Sequence, residues 1–85
     1  MNTATIAKIA KLTDINCHTE ALLVLAKAIG DEGATLVLTS IRQSQEELGY
    51  LLSSGSQLRY EVYQSLMAQV ETLHPQHLAA IRAAL

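Results

Sequence analysis

Apolar residues recur along this chain at intervals of three and four, and the pattern is interrupted at regular places. Gly30-Asp31-Glu32-Gly33, Ser53-Ser54-Gly55-Ser56 and His74-Pro75 supply turn and helix-stop chemistry and leave segments of helical length between them. Over residues 3–12, Ile6, Ile9 and Ala10 share one face with Lys8 and Lys11 opposite, which predicts a short amphipathic helix. Asn16 is placed to cap a second helix that runs to Ile29, with Gly30 in the C-terminal stop position. The main stripe of this helix is Leu22, Leu25, Ala26 and Ile29, yet Leu23 and Val24 lie outside it, and only Glu20 and Lys27 mark a polar side. A helix apolar on nearly every side has to be covered, by the rest of the chain or by a partner.

The third segment carries two signals. A-T-L-V-L-T-S-I has the β-branched density of a strand. Extended as a helix, however, it puts Ala34, Val37, Leu38, Ile41, Gln45, Leu48, Leu51 and Leu52 on one face, with Asp31 as its N-cap. The fourth segment, 56–73, repeats the ambiguity: Leu58, Tyr60 and Val62 alternate, but Leu66, Val70 and Leu73 continue a helical count. Ser54 and Gln57 have the form of a capping box, with Ser53–Ser56 read as a hinge, and Pro75 suits the first turn of a closing helix that carries Leu78, Ile81 and Leu85. The expected fold is one all-α domain over residues 1–85, a compact bundle of four to five helices. A hairpin formed by segments three and four is the alternative.

Composition narrows the chemistry. With 85 residues and one cysteine, neither an intrachain disulfide nor a cysteine-rich metal site is available, and Cys17 is expected to be a small buried thiol in a reducing, cytoplasmic setting. Lys8 and Lys11 interrupt any apolar leader, and the longest apolar run, 21–26, is far short of the ~20 residues that span a membrane. The chain has 49% hydrophobic residues but neither Trp nor Phe, which favours close helix packing over a roomy ligand pocket. So much apolar surface on a small domain also suggests that another chain covers some of it.

His74 and His77 stand three residues apart, but zinc needs three or four ligands, and the other candidates, Cys17 and His18, lie far away in sequence. The pair reads as helix-terminal histidines, one of them capping. Cys17 and His18 are neighbours, and successive helical residues diverge by about 100°, so they do not form a nucleophile–base pair. The same divergence separates Asp31 from Glu32 and Glu46 from Glu47. The glycines form no phosphate-binding loop. No catalytic residue, metal or cofactor is expected.

Ser44-Gln45-Glu46-Glu47-Leu48-Gly49-Tyr50-Leu51-Leu52 resembles the second helix of repressor-type helix-turn-helix domains, in which S-Q-E-E-L-A-x-x-L is common. The likeness covers nine of the 85 residues, and the Gly expected soon after it is delayed to Gly55 by Ser53-Ser54. It implies a recognition helix that presents Ser56, Gln57, Arg59 and Tyr60 to DNA. Phosphate neutralisation supplies nearly all non-specific affinity for DNA. Here Arg59 has Glu61 beside it, and the six cations are spread from Lys8 to Arg82 in a chain of net charge −2. Protein–protein binding is therefore the primary reading. The apolar arc of segment four spans about 200°, wider than the ~100° stripe one core contact needs. Its flank of Tyr60, Tyr63 and Met67 is of the types enriched at interfaces. Leu36 and Tyr50 line up through Gln43 opposite the core stripe of segment three and make a second, thinner feature. The expected protein is a non-catalytic regulator, inhibitor or adaptor, a homodimer that also binds another protein through Tyr60, Tyr63, Met67, Leu36 and Tyr50. A helix-turn-helix DNA-binding regulator is the alternative.

Overall fold

The described chain forms α1 (Thr3–Asp14), α2 (His18–Ile29), α3 (Glu32–Leu48), α4 (Ser53–Leu73), a short 3-10 turn (Pro75–His77) and α5 (Leu78–Ala84). The computed structural model describes the backbone of residues 1–48 and 53–85, and the side chains of residues 1–46 and 59–85. No strand occurs among the described residues, and both ambiguous segments are helical, so the hairpin alternative is overturned. The helical register decided the outcome: Ala34, Leu38 and Ile41 are buried along one side of α3, and Leu66 and Val70 along one side of α4.

The first two joints are built alike. At the end of α1 the Cys17 amide donates to the Leu12 carbonyl at 2.8 Å and the Asn16 amide to that of Thr13 at 3.0 Å, while Asn16 adopts φ 60. At the end of α2 the Asp31 amide donates to Ala26 at 3.0 Å and the Gly30 amide to Lys27 at 3.3 Å, with Gly30 at φ 77. Both are Schellman stops, which need one residue in the left-handed region. Asn16 therefore ends α1 and does not cap α2, as its sequence position suggested. Cys17 holds the N-cap position of α2 without a side-chain bond, and its thiol is half-buried where a buried one was expected. The α1 cap is Asn2, whose Oδ1 accepts the Thr5 amide at 2.9 Å.

Ser53-Ser54-Gly55-Ser56, read as a hinge, forms the first turn of α4. The first amides of a helix need no intrahelical acceptor, so residues of modest helix propensity are tolerated there. The side chains of Ser54 and Gln57, and hence the proposed capping box, lie outside the described residues.

α2 is the central element. It packs against α1, α3 and α4, and Ala21, Leu22, Leu23, Leu25 and Ala26 are all buried. Most of its apolar circumference is thus covered from within the chain, Val24 and Ile29 remaining half-buried. α5 folds back onto α1 and α4, bringing fully buried Ile81 into the same core as Ile9, Leu25, Leu38, Leu66 and Val70. Much of the wide apolar arc of α4 has the same explanation, because α2 and α3 meet α4 together with the 3-10 turn and α5, although Tyr60 at its edge stays 61% exposed. Leu73 departs from expectation: the last residue of α4, it is 59% exposed. Helical register fixes the direction in which a residue lies, not whether a neighbour reaches that far along the axis.

Asp31 ties three helices together. It follows the α2 stop directly and caps α3, its Oδ1 accepting the Ala34 amide at 2.9 Å, as its position after Gly30 predicts. Its other oxygen, Oδ2, accepts the Gln69 side-chain amide from α4. The Ala34 amide first, and then Gln69, hold the carboxyl below its ordinary value of 3.8. A carboxyl whose folded value is depressed contributes its stability above the unfolded value and loses it as the pH falls through the folded one. Asp31→Ala is therefore expected to cost about 1 kcal/mol of cap energy at neutral pH. The difference from the parent should shrink as the pH drops below 3.8. Urea titrations at neutral and acidic pH check this, and a gap that widens on acidification contradicts it.

Candidate functional site

The start of α2, the N-terminal half of α4 and the chain end at Leu85 enclose a cleft of about 280 Å³. Its described lining is His18 and Leu22 from α2, Arg59, Tyr60 and Tyr63 from α4, and Leu85. Tyr60 and Tyr63 are three apart and so project on the same side of α4. They differ in setting: Tyr63 is partly buried against the core, whereas Tyr60 is 61% exposed. Leu22, almost wholly buried, joins the cleft to the core.

Arg59 forms the polar wall. Its Nη1 donates to the Thr19 hydroxyl at 3.4 Å, a long bond to a side chain that is itself buried. Beyond Arg59 lies a second hollow, of about 330 Å³, where Cys17, His18 and Gln45 meet the Glu20–Arg42 pair. That pair closes at 3.1 Å, with both side chains more than a third exposed, so it contributes at most about 1 kcal/mol.

Of the residues singled out in the sequence, the structure brings Tyr60 and Tyr63 to one cleft. Met67 is a correction: it is 5% exposed and belongs to the core, because α4 is covered on more than one side and its third flank residue faces inward. Leu36 is 73% exposed, at the far end of α2 beside Gly30 and Lys27, and so is not part of the cleft. Tyr50 lies outside the described residues. Of the four residues the helix-turn-helix likeness assigns to DNA, the side chains of Ser56 and Gln57 lie outside them too. Arg59 and Tyr60 take part in the cleft. His18, Leu22 and Leu85 were not anticipated there, since they come from distant parts of the sequence and only the packing of α2 against α4 assembles them.

The His74 and His77 rings lie 6.5 Å apart at 47°, flanking the 3-10 turn, and neither side chain caps a helix. The cap expected of one of them is therefore absent. Among the described residues no three His, Cys, Asp or Glu side chains are grouped to hold a metal, and no helix is long and apolar enough to cross a membrane. Replacing both histidines by Ala should change stability by no more than about 0.5 kcal/mol. A melting curve checks this; a larger loss, or a zinc-dependent rise in the parent's melting temperature that the double variant lacks, contradicts it. Set against protein-family models, curated proteins and solved structures, the chain matches none of them.

Proposed function

We propose that the chain is a non-catalytic binding protein, a regulator, inhibitor or adaptor, whose tyrosine-lined cleft receives side chains of another protein. The observation that carries this reading is Tyr60, which stands 61% exposed at the mouth of an apolar cleft walled by Arg59. Tyr and Arg are the residue types that most often anchor protein interfaces. At about 280 Å³ the cleft has room for an inserted side chain. Its described lining offers one imidazole and no acidic side chain.

The simplest partner is a second copy. Tyr60 and the cleft are adjacent, so a two-fold pairing would place Tyr60 of each copy over the cleft of the other. The apolar surface of α2 lends this no support, being mostly covered within the chain. Light scattering of the parent and of Tyr60→Ala over a concentration series tests the reading. A dimer that Tyr60→Ala converts to monomer supports it. A parent that stays monomeric at high micromolar concentration removes the homodimer and leaves a different protein as the occupant.

A further inference from the structure

The opposite side of α2 carries a groove of different character. It runs between α1 and α2 with a volume of about 580 Å³, lined from Asn2 to Leu12 on one helix and from Glu20 to Ala28 on the other. At 1.5 Å per residue this is about 12–15 Å, or two to three helical turns. The floor is apolar: half-buried Leu12 and Val24 are open to it, over the buried Leu23. Lys8 and Lys27 stand exposed on the two rims, and Arg42 of α3 reaches the groove beside Glu20.

Charge makes the groove distinctive. It gathers three of the chain's six cations, which the sequence spreads over distant positions, in a protein whose net charge is −2. Glu20 is the one acidic residue in the described lining, and Arg42 engages it at 3.1 Å. Lys8 and Lys27 have no ion-pair partner among the described residues. An apolar floor with unpaired cations on both rims is the complement of an amphipathic helix with an apolar stripe and acidic flanks. Such helices dock in grooves through residues spaced i, i+3, i+4 and i+7.

The geometry points to a second interaction site: the α1–α2 groove docks an acidic amphipathic helix of a partner protein, with half-buried Leu12 and Val24 as the floor and Lys8 and Lys27 as the charge clamps. A bare polyanion would use the lysines but leave the apolar floor unoccupied, so the acidic helix is the better match. The site does not depend on the tyrosine cleft.

The test uses the full chain and three probes: a synthetic helical peptide with a Leu stripe and Glu flanks, the same peptide with Lys for Glu, and a mixed-sequence DNA duplex. Amide resonances of the isotope-labelled protein are followed during each titration. The Glu peptide should shift Thr5, Lys8, Val24, Lys27 and Ala28, and should weaken as salt rises. Lys8→Glu combined with Lys27→Glu should weaken it at least tenfold, and the milder Lys8→Gln with Lys27→Gln severalfold. Tyr60→Ala should leave it unchanged, which separates this site from the cleft. All four lysine substitutions fall on exposed side chains, and an unchanged melting temperature verifies the fold. The inference is overturned if the Glu peptide does not bind, if its shifts map elsewhere, or if the Lys peptide binds as well. It is equally overturned if duplex DNA displaces the Glu peptide, in which case the groove is a phosphate site.

Discussion

Leu25→Ala is expected to lower the folding stability by about 2–5 kcal/mol, the range for removing a buried leucine side chain and leaving a cavity. Leu25 is fully buried in the middle of α2, the helix that α1, α3 and α4 all pack against. Collapse around the vacancy would require several helices to move together, which argues for the upper part of that range. Proteins have only about 5–15 kcal/mol in total, so the variant should lose a large share of its stability. The Cα positions extend only 16 Å along the shortest axis, about the thickness of two packed helices, so there is no deeper layer to compensate. Urea denaturation followed by circular dichroism reads the loss directly. Leu36→Ala, the same substitution at a side chain 73% exposed, is the control and should change stability by less than about 0.5 kcal/mol. Similar midpoints for the two variants would show that α2 is not central.

The helical elements were legible because a period of 3.6 persisted through segments whose composition suggested strands. A helical face that continues from Ala34 through Leu38 and Ile41 to Gln45, or from Val62 through Leu66 and Val70 to Leu73, outruns the ~5–6 residues of a usual strand. The joint at Gly30-Asp31 was legible for a different reason: each residue type has one dominant backbone use there, a left-handed stop and an N-cap. Asn16 was not, because asparagine serves equally as an N-cap and as a left-handed stop, and only the backbone dihedral separates the two. The hinge reading of Ser53–Ser56 failed similarly, since serine and glycine suit both a linker and the opening turn of a helix.

Long-range packing was the larger gap. The apolar excess of α2 and the wide arc of α4 both invited an external partner, and most of both is covered by the chain's own helices, with Tyr60 left exposed on α4 and Val24 half-buried on α2. Nothing near Met67 reveals that α5 returns to pack beside α4. The cleft was legible only in its tyrosines. Their spacing on α4 marked a flank, but the wall opposite comes from His18, Leu22 and Leu85, whose approach depends on tertiary contacts. The cationic groove was hidden for the same reason: Lys8, Lys27 and Arg42 belong to three helices and meet only when these pack.

Tyr60→Ala carries the largest expected effect on binding. Truncating an aromatic anchor typically costs about 2 kcal/mol or more, and in a two-fold interface each substitution counts twice. The dissociation constant of the proposed homodimer should therefore rise by about three orders of magnitude. The fold should be nearly indifferent, because Tyr60 is 61% exposed and adds little to the core. Tyr63→Ala should also weaken association, but Tyr63 packs against the core cluster, so part of its effect will appear as lost stability. Tyr60 is the cleaner probe for that reason. Gln57→Ala should leave the dimer within about twofold of the parent, since it removes no aromatic anchor. A DNA-reading protein would reverse this order: Gln57 and Arg59 would govern binding to a specific duplex, and Tyr63 would matter only for folding. Sedimentation equilibrium and duplex titration of the parent, Tyr60→Ala and Gln57→Ala distinguish the two directly. A folded Gln57→Ala protein that has lost a sequence-specific DNA complex, beside a Tyr60→Ala protein with unaltered association, would overturn the protein-binding reading.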